Sequence, residues 1–253
     1  MIVKTHGLVL QQISLSRADR KLILLTDEFG IVEATLRAAQ GSKGRRAAAA
    51  EVLAYSDFCL FQGKSGYIVD SVDLENNFYD LRTDLEKLAL AGYFCELTRF
   101  VLPDRDNGRT CLKLLLNTLS LLERDLRPAP LLKAIFELRL LALSGFAPEL
   151  SCCQSCGAVS DTGVFYPIDG VLLCQNCAES APTDRIKLPL GKAVLAAMRR
   201  ILDSETDRQL FSFTLDPAST QTLGRIVEYF TLCHAGGRFK ALDFYHSVVN
   251  PAE

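Results

Sequence analysis

The stretch Arg20-Lys21-Leu22-Ile23-Leu24-Leu25-Thr26-Asp27-Glu28-Phe29-Gly30-Ile31-Val32-Glu33-Ala34-Thr35-Leu36-Arg37-Ala38 decides how the amino-terminal part of the chain folds. From Ile31 to Ala38 the residues alternate. Val32, Ala34 and Leu36 face one way and Glu33, Thr35 and Arg37 the other, the period of a strand with one buried side. Arg20–Thr26 reads as the strand before it, and Asp27–Gly30 as a short hairpin connection in which Gly30 can take a positive φ. Working outward, His6–Ile13 is a preceding strand. Val52–Phe61 is an apolar run, Gly63-Lys64-Ser65-Gly66 a turn, and Tyr67–Leu74 a fifth strand. Five short strands with one long interruption predict a small barrel of the OB type over residues 1–77.

From residue 78 the period becomes helical. Leu90, Phe94, Leu97 and Val101 share a face that stops before Pro103. Leu112, Leu115, Leu116, Leu119 and Leu122 form a second stripe, and Leu131, Ile135, Leu138 and Ala142 a third, ending near Gly145. Val194, Ala197, Met198 and Ile201 continue the pattern. Asp216-Pro217 has the chemistry of a helix start, and Leu223, Ile226, Val227, Phe230 and Cys233 follow it on one stripe. The fold class expected is therefore α+β and multidomain: an OB-type barrel at 1–77, then a helical domain at 78–253.

That helical domain is interrupted. Cys153-Gln154-Ser155-Cys156 and Cys174-Gln175-Asn176-Cys177 are two C-x-x-C pairs with 17 residues between them, inside the spacing of about 15–20 used by four-cysteine zinc sites. Two residues between thiolates let the backbone turn so that both sulfurs reach one tetrahedral ion. The intervening residues suffice for a ribbon, Gly163–Pro167 and Gly170–Leu173. Four thiolates close the coordination sphere, so the expected Zn2+ is structural, held by Cys153, Cys156, Cys174 and Cys177 in a finger inserted at 150–180. Cys152 is an alternative to Cys153; the two-residue spacing favours Cys153. Cys59, Cys95, Cys111 and Cys233 sit in apolar contexts as packing residues.

The formal net charge of −2 hides an asymmetry. Residues 1–50 hold eight Lys/Arg against four Asp/Glu, a balance of +4, and the remainder carries −6. A basic end on an acidic chain can bind phosphates locally. Arg17, Arg20, Lys21, Arg37, Lys43, Arg45 and Arg46 are the candidate DNA contacts. Phe29, Tyr55, Phe58, Phe61 and Tyr67 are candidate stacking platforms for unpaired bases, though alternation places most of them in the core. Arg109, Lys113, Arg124, Lys133 and Arg139, on or beside the helices, read as solvated surface charge.

Taken in order, Thr5-His6-Gly7-Leu8-Val9-Leu10, the hairpin from Arg20 to Gly30, Gly145-Phe146-Ala147-Pro148-Glu149-Leu150, Cys153-x-x-Cys156-Gly157 and Cys174-x-x-Cys177 resemble the RecO family of bacterial DNA repair and recombination mediators. The resemblance runs through nearly the whole chain; Cys152 is a thiol beyond its pattern. It implies a protein without catalytic turnover that binds single- and double-stranded DNA and anneals complementary strands. With RecR and RecF it would help load RecA on DNA coated by single-strand-binding protein, whose acidic tail it would also bind. The competing reading of the residues is a zinc-stabilised adaptor that binds only protein partners.

Enzyme motifs are lacking. Gly63-Lys64-Ser65 matches the end of a phosphate-binding loop, but Phe58 stands where its first glycine belongs. Three histidines (His6, His234, His246) form no metalloprotease motif. The longest uncharged stretch, Thr5–Ser16, has 12 residues, against about 20 for a membrane span. The opening Met-Ile-Val-Lys-Thr-His-Gly has no secretory pattern. The expected location is the bacterial cytoplasm, at the nucleoid.

Overall fold

A computed structural model describes residues 1–15, 19–37, 44–63, 66–102, 107–182 and 184–250. Strands β1 (Ile2–Ser14), β2 (Arg20–Thr26) and β3 (Gly30–Leu36) are followed by the short helix α1 (Arg45–Ala48), then β4 (Tyr55–Gly63) and β5 (Gly66–Asn76). The strands close into a barrel in the order β1-β2-β3-β5-β4, with β3 and β5 parallel and the other pairs antiparallel. This is the OB-type barrel expected. Alternation sorts its residues: Leu22, Leu24, Val32, Ala34 and Leu36 share the barrel core with Phe58 and Leu60. Ile23 and Leu25 point the other way yet are also buried.

The unbroken apolar run in β2 thus marks a strand covered on both sides. The expected fourth strand begins three residues late. Leu53 has a φ of 71°, and Leu53 N–H and Ala54 C=O bond Val9 instead. Within the long interruption between the third and fourth strands the chain forms α1, and Ala49 and Ala50 directly after it enter the barrel core.

The contacts divide the described chain into two compact units, Met1–Arg124 with Phe239–Glu253, and Asp125–Arg238. In the first, a 3-10 turn over Tyr79–Thr83 leads to α2 (Leu85–Val101), α3 (Gly108–Glu123) and, in the second, α4 (Ala129–Leu143). Helix α2 starts where the Asp84 carboxylate accepts from the N–H groups of Glu86 and Lys87. It packs on β1, and α3 packs on β2 and β3.

At the start of α3 a Cβ on Gly108 would lie 2.7 Å from Gly30 Cα and 2.8 Å from Thr26 C=O. Only hydrogen fits there, because backbone meets backbone. Gly108→Ala should destabilise the protein by about 1–3 kcal/mol as the helix start is pushed off the β2–β3 turn. Urea titration checks this, and an unchanged midpoint would show that the contact yields.

The second unit continues with β6 (Gly163–Tyr166), β7 (Val171–Leu173), α5 (Gln175–Glu179) and β8 (Leu188–Leu190). Helices α6 (Lys192–Asp203), α7 (Asp207–Phe211) and α8 (Pro217–His234) follow, before α9 (Lys240–Val249) closes on α2 in the first unit. Asp216 caps α8 by accepting from Ser219 N–H at 2.9 Å. Helix α4 is buried on nearly every side and packs on α6 and α8.

Two charges expected on its surface are corrected. Lys133 is 5% exposed and its Nζ lies 2.7 Å from both Glu137 Oε1 and Glu228 Oε2. Arg139 donates to the carbonyls of Leu202 and Ser204, both at 2.7 Å, closing the end of α6. Neither is solvated charge. No helix among the described residues is long and apolar enough to cross a membrane.

Candidate metal centre and nucleic-acid interface

Strands β6 and β7 pair as an antiparallel ribbon, with Phe165 opposite Leu172, and β8 adds a third strand on the far side of β6. The ribbon turns at Gly170, whose φ is 68°. Both cysteine pairs are tied to β7. Gln154 N–H donates to Leu172 C=O at 2.9 Å, which fixes the first pair on β7. Cys174 directly follows β7 and precedes α5, so Cys177 falls in the first turn of that helix. The first pair closes through Gly157 N–H to Cys153 C=O at 2.8 Å, with Gly157 at a φ of 73°.

These constraints gather Cys153, Cys156, Cys174 and Cys177 so that all four sulfurs lie within 4.8 Å of one another; Cys152 is not in the group. Cys156 Sγ and Cys174 Sγ are 3.8 Å apart. A tetrahedral ion with metal–sulfur bonds of about 2.3 Å requires sulfurs about 3.8 Å apart, so the four donors fit such an ion.

The electrostatics fit as well. Burial opposes ionisation of Cys153, but backbone N–H groups of Cys174, Cys156 and Ser155 outweigh it and bring the thiol down to about 6. The Ser155 side chain favours the Cys177 thiolate, yet the sulfurs of Cys174 and Cys156 push that thiol up to about 12. A cluster in which one thiolate forms readily and its neighbours resist is completed by a cation. The group can bind a metal ion and leaves no side-chain position for reacting water.

The finger is held against its own unit by aromatic contacts. Phe165 meets Phe230 at 5.6 Å between ring centroids, and a His234 ring nitrogen lies 2.8 Å from Pro167 C=O.

The candidate DNA contacts divide differently. Arg20 and Lys21 open β2, opposite Leu36 and Thr35 of β3, and Arg37 follows directly, exposed. These three therefore share one rim of the barrel. Arg20 donates to the neutral Gln12 Oε1 at 2.7 Å, whereas Lys21 pairs with Glu33 at 2.8 Å. Arg46 turns away, donating to Asp70 C=O at 2.7 Å on β5. Arg17 and Lys43 lie outside the described residues, as does the side chain of Arg45.

Among the aromatics, Phe58 is fully buried, Phe29 and Tyr67 pack against the barrel core, and Phe61 is 47% exposed. Sequence reasoning missed the finger's third strand and α5. Their only signals are the pair Leu188 and Leu190 flanking Pro189, and the run Gln175–Glu179 after a cysteine.

Two family models match this chain: "Recombination protein O N terminal" over residues 1–78, and "Recombination protein O C terminal" over residues 82–243. A protein of Acetivibrio thermocellus named "DNA repair protein RecO" is 30% identical over 243 residues, 96% of this chain and 95% of its own. One of the same name from Symbiobacterium thermophilum is 35% identical over 248 residues, 96% of each.

Proposed function

Because the chain belongs to the RecO family of DNA repair and recombination proteins, we propose that it is a recombination mediator without catalytic turnover. In this reading it binds single- and double-stranded DNA through the barrel of residues 1–77 and anneals complementary strands. With RecR and RecF it helps load RecA on DNA coated by single-strand-binding protein. The helical region, 78–253, meets the acidic tail of that protein, and the work is done at the bacterial nucleoid. One Zn2+ held by Cys153, Cys156, Cys174 and Cys177 is structural in the finger of 150–180: it neutralises the thiolates and locks both cysteine pairs to the ribbon.

The observation that supports DNA binding is the grouping of Arg20, Lys21 and Arg37 on one rim of an OB-type barrel. Arg17, Lys43 and Arg45 belong to the same proposed DNA-binding set. Phosphate contacts position a nucleic acid without reading its sequence, and each releases condensed counterion.

Reversing the charge at two of them (Arg20→Glu with Arg37→Glu) should weaken single-stranded oligonucleotides of any sequence alike. The dependence of log affinity on log salt should fall by about 1.4. Fluorescence anisotropy across a salt series measures both. Unchanged affinity and slope would move the contact off this rim, and no salt-dependent binding by the unaltered protein would leave a metal-stabilised adaptor. Strand annealing without nucleotide separates these readings, because an adaptor does not predict it.

A further inference from the structure

The barrel has a second side whose chemistry is opposite to the basic rim. Residues directly opposite on antiparallel strands point to the same face, and the inward places on β4 and β5 are taken by Phe58, Leu60, Val69 and Val72. The outward face of β1, β4 and β5 therefore carries rows. Ile2 lies opposite Phe61 and Phe61 opposite Ile68; His6 lies opposite Asp57 and Asp57 opposite Asp73. Helices α2 and α3 cover β1, β2 and β3 elsewhere. Here the first row stays open, with Ile2 59% and Phe61 47% exposed.

Asp70, Asp73 and Glu75 are exposed on the same strand. Glu75 reaches His6 Nε2 at 3.2 Å, and Thr5 Oγ1 donates to Asp27 at 2.8 Å. The negative field is felt nearby: burial first, then Glu75, Asp27 and Asp57, push the Tyr55 hydroxyl above its ordinary value of 10.0.

The apolar row leads to a cavity. Among the described residues the parallel ladder joins β3 to β5 only at Ala34–Tyr67 and Thr35–Ile68, so the start of β3 stands apart from β5. The gap is a cavity of about 530 Å³ whose lining includes Val3, Phe29, Val32 and Tyr67 together with Glu28 and Glu33. Met1, Gln62 and Tyr67 of its wall adjoin Ile2, Phe61 and Ile68 of the open row. Lys21 already neutralises Glu33. Glu28, Asp57, Asp70, Asp73 and Glu75 outnumber the cations on this side, which are Lys4, Arg46 on the β5 carbonyls and the amino terminus of Met1 at the cavity.

We propose that this side of the barrel docks a basic segment of a partner protein, with an apolar side chain anchored at the cavity and Lys or Arg side chains over the carboxylate rows. Charge complementarity selects that occupant. A nucleic acid would bring phosphates against five carboxylates, and an acidic peptide would do the same. An apolar surface alone would not choose between partners, whereas carboxylate rows beside an apolar anchor site favour cations flanking one hydrophobic residue. A single chain could then hold DNA at one rim and a protein at another side, since the two sets of residues do not overlap.

The test uses the full chain and three labelled peptides of equal length in fluorescence anisotropy: one with several Lys/Arg around a single Phe, one with that Phe replaced by Ser, and one with Glu in place of every cation. The expected result is binding of the first alone at low salt, falling steeply as salt rises. Asp57→Asn with Asp73→Asn and Glu75→Gln should weaken it at least tenfold, and Ile2→Ser should weaken it without changing the salt dependence.

Both variants should keep the oligonucleotide affinity of the parent, which certifies their folding and separates this docking side from the DNA rim. Equal binding of the Glu peptide, or undiminished binding by the carboxylate variant, would overturn the proposal. So would self-association in sedimentation that Ile2→Ser abolishes, since a second copy would then be the occupant.

Discussion

Cys174→Ser should abolish metal binding at the four-cysteine site, where we propose Zn2+, and unfold residues 150–180 while the helices around them persist. Structural zinc contributes apparent folding free energies of about 10–16 kcal/mol in isolated finger peptides. Within itself the finger has little else to stand on. Its ribbon is three residue pairs long, and its own small core consists of Val164, Tyr166 and Ala178 with a few half-buried neighbours. Cys174 is the residue at which ribbon and α5 meet, so its thiolate joins both halves of the site.

A serine hydroxyl is a poor zinc ligand at neutral pH, and the three remaining sulfurs would leave the coordination sphere open. The unit beneath has an independent core on α4, α6 and α8, so the loss stops at the finger. Hydrogen exchange should show residues 150–180 unprotected in Cys174→Ser and in chelator-treated protein, with α4 and α8 still protected. Metal analysis should find the proposed one zinc per chain in the parent and none in the variant. Acid should act in the same direction, because protonation of the cysteines competes with the metal. Unaltered protection of the finger after complete removal of metal would show that the ribbon is self-supporting and the ion dispensable.

Much of this architecture is legible along the chain, for physical reasons that also mark where legibility ends. Alternation from Ile31 to Leu36 states which side chains face the barrel core, and the apolar run of β2 already signals burial on two sides. The spacing of the two cysteine pairs suffices to foretell their meeting, because the constraint is local: two residues between sulfurs and one turn.

Short elements defined by distant partners are another matter. β8 is three residues long and exists because β6 offers it a ladder 25 residues earlier in sequence. α1 is a single turn, and the alanines that follow it, Ala49 and Ala50, matter for the barrel core they reach rather than for any period. Arg46 carries the same charge as Arg20 and Arg37, and only the position of the β5 carbonyls reveals that it is a structural donor. The carboxylates of β4 and β5 look unremarkable in sequence, since the register that aligns Asp57 with Asp73 depends on a bulge between Cys59 and Leu60.

Lys133 shows the same gap in its sharpest form, and its replacement should have the largest effect of any single change outside the finger. On an exposed helix a Lys followed by Glu four residues on is the weaker orientation of such a pair, worth a few tenths of a kcal/mol. Burial changes the scale. Lys133 is 5% exposed and Glu137 is fully buried, and Glu228 arrives from α8, 95 residues away, to complete the site. Burial alone would pull the ammonium's pKa down; attraction and hydrogen bonds from Glu137 and Glu228 overrule it and raise the value above 10.5.

A folded-state pKa above the free value means that this stabilisation is complete below pH 10.5 and is lost only as pH rises through the folded value. Lys133→Met should therefore destabilise the protein by about 3–5 kcal/mol at neutral pH, because the buried Glu137 loses the ammonium that neutralises it. Glu137 without its cation will favour the protonated form, so the deficit should shrink as pH falls. Lys133→Met with Glu137→Leu should recover most of the loss, since Glu228, with 23% of its side chain exposed, can turn to water. Urea titrations of the single and double variants at two pH values measure each step. A loss below about 0.5 kcal/mol in Lys133→Met, the size of an ordinary surface change, would show that water reaches Glu137 and that the ion triad does not organise the α4–α8 contact.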